Sequence, residues 1–156
     1  MKIRRLKESE PLPWKLLLDA DPSKKEIRKY VSRGEVWVAE LEGQIVGAMA
    51  LMQTRADVLE IMNIATDPTR RSQGLGTALL NAAKKRAKAL KAKWLHVGTG
   101  NNSFRQLQFY QRFGFRICGI DRDFFEGRYS RTYERGGVVL REMCIRDSPG
   151  WSQNQP

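Results

Sequence analysis

Residues Arg70 to Leu80 read "RRSQGLGTALL": two arginines, a serine, two glycines on either side of a leucine, then the start of an apolar periodicity. Gly74 and Gly76 carry no Cβ, so the backbone there can approach a bound group closely. N–H groups in the first turn of a helix are unpaired and carry positive partial charge, which makes such a turn a ready seat for phosphate. Arg70 and Arg71 add full charges, and the Ser72 and Thr77 hydroxyls add donors. The spacing is not the dinucleotide fingerprint G-x-G-x-x-G, because Leu79 occupies the third glycine position. Nor is there a Gly-Lys-Ser/Thr of a nucleotide-triphosphate loop. On these residues alone the stretch is either an anion-binding turn or a merely solvated one.

The flanks supply its context. Upstream, "DVLEIMNIATD" (57–67) reads as a strand closed by Pro68. Downstream, Leu75, Leu79, Ala83, Ala87 and Leu90 recur every three or four residues and leave Lys84, Lys85, Lys88 and Lys91 on the other face, a helix of about five turns. Earlier in the chain, "IRRL" suits a first strand, and "EPLPWKLLLDAD" and "PSKKEIRKYVSRG" suit two helices. Asp21 or Ser23 caps the second helix and Gly34 stops it. "EVWVAELEGQIVGAMALMQT" is a hairpin turning at Glu42-Gly43. After the long helix come a strand in "KWLHVGTG", a helix in "NNSFRQLQFYQRFG" stopped at Gly114, and strands in "FRICGID" and "GGVVLRE". The order β-α-α-β-β-β-α-β-α-β-β predicts an α/β domain on a mixed sheet.

Bulk properties narrow the classes. A chain of 156 residues, 41% hydrophobic and 29% charged, is expected to form a single domain over residues 1–142. The last stretch, "MCIRDSPGWSQNQP" (143–156), is polar and patternless and reads as a disordered tail; "MCIRDS" resembles a translated sequencing adaptor, so the tail is set aside as non-native. No run nears the roughly 20 apolar residues that span a bilayer, which predicts no membrane partner and a cytoplasmic location. Two cysteines and one histidine allow no disulfide framework and no conventional metal site. The formal charge of +11 favours anionic partners without choosing among them. The basic helix lacks the interleaved aromatics that would stack bases, so nucleic acid is not the expected partner.

Taken together, "NIATDPTRRSQGLG" and "LHVGTGNNSFRQLQFYQRFGF" resemble the GNAT superfamily of acetyl-CoA-dependent N-acetyltransferases. Within it the first stretch is similar to bacterial acetyltransferases of protein N-termini and to uncharacterised bacterial GNAT proteins. The resemblance implies a mostly antiparallel sheet of six or seven strands, splayed between strands 4 and 5 and flanked by helices. It implies that Ile64, Ala65 and Thr66 pair with the pantetheine arm of acetyl-CoA. A backbone N–H there would stabilise the developing oxyanion. It seats the pyrophosphate on Arg71, Ser72, Gln73, Gly74, Leu75, Gly76 and Thr77, and gives a cofactor contact to one of Asn101, Asn102 and Ser103, Asn101 first. Tyr110 matches the tyrosine beside the sulfur, whose phenol can protonate the departing thiolate. Glu60 on the fourth strand and His96 on the fifth are the alternatives for the base, with water a third.

The implied activity is acetyl transfer to a primary amine, on a small molecule or a peptide, with homodimerisation implied by resemblance only. Tyr129, Tyr133, Phe124 or Phe125 would border the acceptor. The competing reading is a non-catalytic sensor of CoA thioesters on the same scaffold. Tyr110, Glu60 and His96 speak for the enzyme, because a sensor needs no proton-transfer groups.

Overall fold

Lys2–Arg5 (β1) lies antiparallel to Glu35–Leu41 (β2), which pairs with Gln44–Arg55 (β3), which in turn pairs with Val58–Thr66 (β4). This computed structural model describes residues 1–100, 103–121, 133–135, 138–140 and 143–144. They fall into two compact units, one of residues Met1–Lys93 and one beginning at Trp94.

In the first unit the hairpin turns where expected, at Glu42 and Gly43, both with positive φ (52° and 75°). The two sheet faces are covered by different helices. Trp14–Ala20 (α1) and Lys24–Val31 (α2) bring Leu16, Leu17, Ile27 and Tyr30 onto Ala48, Ala50 and Ala65. Alanines on the strands let these helices come close. On the other face, Leu75–Ala89 (α3) buries Leu75, Leu79, Ala83 and Ala87 of the stripe read from the sequence and Leu80 besides, while Leu90, the last residue of that stripe, is its half-buried C-cap. A Cβ on Gly47 would stand 3.2 Å from Leu79 Cδ1, so the glycine admits α3 to the sheet. Glu35 ties the same helix down: Arg86 Nε donates to its Oε2 at 2.9 Å. Burial alone would raise the Glu35 pKa, but hydrogen bonds from Arg86 and Trp37, with the charges of Arg86 and Arg5, hold it below the usual carboxylate range.

Local signals explain the boundaries. Ser23 caps α2, its hydroxyl accepting from the Glu26 N–H at 3.3 Å, while Asp21 closes α1 and accepts from the Ser23 N–H at 3.0 Å. The pair the sequence offered as alternatives for one cap therefore serves two helix ends. α2 ends at Val31 with Ser32 as its C-cap, before the expected stop at Gly34, where a Cβ would overlap the Leu51 carbonyl oxygen.

In the second unit, Trp94–Val97 (β5) and Thr99–Gly100 (β6) precede Phe104–Arg112 (α4). Ile120–Asp121 (β7), Tyr133–Arg135 (β8), Val138–Leu140 (β9) and Met143–Cys144 (β10) follow. β10 pairs antiparallel with both β6 and β7, and β8 pairs with β9. "FRICGID" was expected to be strand throughout, yet only its last two residues are; Arg116–Gly119 are exposed and irregular. Met143 and Cys144, read as the start of the tail, form a strand. Residues 145–156 lie outside the described residues.

Candidate functional site

β4 carries a bulge. Ala50 of β3 stands opposite Asn63 and Leu51 opposite Ile61, so Met62 is one residue more than β3 matches. Strict alternation would place Glu60, Met62 and Ile64 on one face. The extra residue shifts that pattern, as bulges do. Glu60 faces Met52, in the Ala48–Ala50–Met52 row, and so shares the α1/α2 face with Asn63 and Ala65. Ile64 and Thr66, opposite Met49 and Gly47, belong to the α3 face. Glu60, Ile64 and Thr66 are half-buried and Ala65 is buried.

Beyond β4 the chain enters the turn. Asp67 accepts from the Thr69 N–H at 2.9 Å and the Thr69 hydroxyl at 2.7 Å, caps a 3₁₀ turn (Pro68–Arg70), and is held below its ordinary pKa by these bonds. Arg70 leans toward Glu42 at 4.0 Å. Arg71, Ser72, Gln73 and Gly74 are exposed. Ser72 (φ 63°) and Gly74 (φ 75°) both lie in the left-handed region. That conformation costs a serine strain and a glycine almost none. Gly74 occupies the N-cap of α3, no side chain caps the helix, and its first turn holds no acidic residue. The N–H groups of Leu75, Gly76 and Thr77 begin a 15-residue helix whose dipole favours an anion at this end.

In the second unit His96 sits half-buried on β5. Ser103 is buried at the N-cap of α4; its N–H donates to the Gly100 carbonyl at 2.9 Å, and its own carbonyl accepts from the Leu107 N–H at 3.0 Å. Asn101 and Asn102 lie outside the described residues, as do Phe124, Phe125 and Tyr129; Tyr133 lies on β8. Tyr110 is 5% exposed, with the Phe109 ring centroid at 5.5 Å and the Phe115 centroid at 5.7 Å. Burial raises its pKa above that of an ordinary phenol, so it carries its proton throughout the physiological range.

One constellation escaped the sequence reading. Asn63 Nδ2 donates to the Leu17 carbonyl and to the Tyr30 hydroxyl, both at 2.9 Å, and Tyr30 donates on to Asp21 Oδ2 at 3.4 Å. The signal was the lone amide in the apolar run "EIMNIA". Among the described residues no group of three or more His, Cys, Asp or Glu could hold a metal ion, and no helix is long and apolar enough to cross a membrane.

The description "Acetyltransferase (GNAT) domain" matches residues 32–117. The chain belongs to the GNAT acetyltransferase family, and its mixed α/β fold with flanking helices is the fold of that family. A solved GNAT acetyltransferase from Elizabethkingia anophelis with acetyl-CoA bound is 35% identical, with a TM-score of 0.91 over 94% of this chain and 96% of that one. An IAA acetyltransferase from Bacillus cereus is 41% identical, with a TM-score of 0.88 over 94% and 97% of the two chains. The uncharacterised N-acetyltransferase YvbK of Bacillus subtilis is 38% identical over 92% of each chain.

Proposed function

We propose that this acetyltransferase moves the acetyl group of acetyl-CoA to a primary amine by direct attack, without an acyl-enzyme. The observation that carries the reading is the open N-terminus of α3: a basic, exposed turn with two left-handed residues and an uncapped first turn of N–H groups. This is the chemistry a pyrophosphate requires. On this reading Arg71 to Thr77 hold the pyrophosphate, and Ile64, Ala65 and Thr66 offer backbone groups to the pantetheine amides. Asn101, Asn102 or Ser103 adds a further contact to the cofactor. The acetyl-CoA-bound relative supports the choice of donor.

Glu60 is the base in this proposal, with His96 the alternative. It takes the proton that the amine sheds as the nitrogen–carbon bond forms. Tyr110 is the acid, and its buried phenol remains protonated and able to donate to the leaving thiolate.

The experiment is a thiol-release assay with acetyl-CoA and a panel of amino acids, dipeptides and alkylamines. Tyr110→Phe is expected to lower kcat by roughly 100-fold or more while CoA affinity holds. Because burial raises the phenol's pKa, the wild-type rate should not decline on the alkaline side at the usual phenol pKa. Full turnover by Tyr110→Phe would remove the tyrosine from the mechanism. Glu60→Gln and His96→Gln decide between the bases. Measurable CoA binding with no transfer to any amine would favour the sensor reading instead.

A further inference from the structure

Asn63 is 4% exposed, and its hydrogen bonding is one-sided. Its Nδ2 donates twice, to the Leu17 carbonyl and the Tyr30 hydroxyl. The Leu17 bond fixes the orientation of the amide, since the opposite flip would set two carbonyl oxygens against each other. The remaining atom, Oδ1, is buried without a hydrogen-bond partner among the described residues. Such an orphan is unfavourable and calls for a reason.

The two bonds that Nδ2 donates do not account for the unpaired oxygen. The Leu17 carbonyl also accepts from the Asp21 N–H at 3.0 Å, and the Tyr30 hydroxyl also bonds Asp21. Both would stay paired if residue 63 were leucine, and the orphaned oxygen would be gone. The neighbouring cluster of Leu16, Leu17, Ile27, Ala48 and Ala50 is apolar and would suit such a residue. The bulge, meanwhile, puts Asn63 on the same face of β4 as Glu60, while Ile64, Thr66 and the helix that begins at the phosphate seat belong to the other face.

We propose that Asn63 Oδ1 accepts a hydrogen bond from the acceptor amine during transfer. The inference rests on the acetyltransferase reading with Glu60 as base. A neutral primary amine carries two N–H bonds. As the N–C bond forms and the C–S bond breaks, one amine proton passes to the base. The thiolate takes a proton from Tyr110, and the second N–H persists in the product amide. Asn63 holds that second N–H and so aims the lone pair at the thioester. A hydroxyl nucleophile has only one proton and must surrender it, leaving Oδ1 unpaired, so the same atom selects amines over alcohols. Met52 and Met62 pack half-buried against this cluster, and unbranched thioethers re-pack readily when a donor approaches.

The test compares Asn63→Leu and Asn63→Asp with the wild type, using the best amine of the panel. Asn63→Leu is expected to lose roughly 10- to 100-fold in kcat/KM for the amine, with Tm unchanged or raised and the Kd for acetyl-CoA within about twofold. Asn63→Asp retains an acceptor oxygen and should keep at least about tenfold more of that activity than leucine does. Should Asn63→Leu not fold, Asn63→Ala gives the same readout. Unchanged amine kcat/KM, or a parallel loss of acetyl-CoA affinity, overturns the proposal. A wild type that acetylates no amine overturns the acetyltransferase reading itself, a distinct outcome.

Discussion

The two ends of α3 are built on opposite plans. At the C-terminus the helix closes itself: the Lys91 N–H donates to the Lys88 carbonyl at 3.0 Å and the Ala92 N–H reaches back to Ala87 at 2.9 Å. Lys91 adopts φ 55° to make this possible, and Arg86 and Lys88 in the last turn suit the negative end of the dipole. At the N-terminus nothing is closed. Gly74 offers no capping side chain, the first turn has no acid, and Arg70 and Arg71 precede the end where cations are unfavourable. A helix terminus satisfied by its own backbone is finished. One left open, with charge of the wrong sign for stability, is what the proposed pyrophosphate seat requires.

The largest effect is expected from loosening the helix between its ends. Leu79 is fully buried against Gly47, so Leu79→Ala should cost about 2–5 kcal/mol in chemical denaturation and weaken both ends together. Thr77→Glu sharpens the contrast. A carboxylate at the third helical position stabilises the helix by about 0.3–1 kcal/mol, yet repels phosphate. Tm should therefore rise while the Kd for CoA, read by titration calorimetry, worsens by about tenfold or more. If both move the same way, the open end is not an anion seat. At the closed end, Lys91→Gly relieves the left-handed lysine and should add about 0.5–1 kcal/mol without touching CoA affinity.

The smallest expected effect concerns pH. The Glu35 carboxyl is held below its ordinary range, so its contribution is present above the unfolded-state pKa and fades as pH falls through the folded one. Glu35→Gln should flatten the acid limb of the stability profile, followed by urea unfolding at stepped pH.

Much of this was legible in the sequence because it depends on periodicity. The stripe from Leu75 to Ala87, the hairpin at Glu42-Gly43 and the glycine turn follow from spacing and backbone freedom. The faces of β4 follow from alternation only up to the bulge. Alternation assigns Glu60 to the side of Ile64, whereas pairing with β3 sets the register, and that long-range match absorbs Met62. "FRICGID" is mostly irregular for a related reason: Phe115 is packed, but Ile117, which alternates with it, is exposed, and only Ile120–Asp121 find a pairing partner, in β10. The Asn63 network was invisible because its partners lie 33 and 46 residues away.

Met62 has one more consequence. It is a spacer and not a rung of the ladder, since the pairs on either side of it, Ala50–Asn63 and Leu51–Ile61, are already consecutive on β3. Excising this single codon would leave every other residue of the strand opposite its present neighbour and on its present face. The bend would go, and with it the packing of Met62 against the Leu16–Tyr30 cluster. β4 is therefore a strand that loss of one residue would straighten without turning any side chain to the opposite face, whereas a one-residue slip in a buried sheet ordinarily reverses them all.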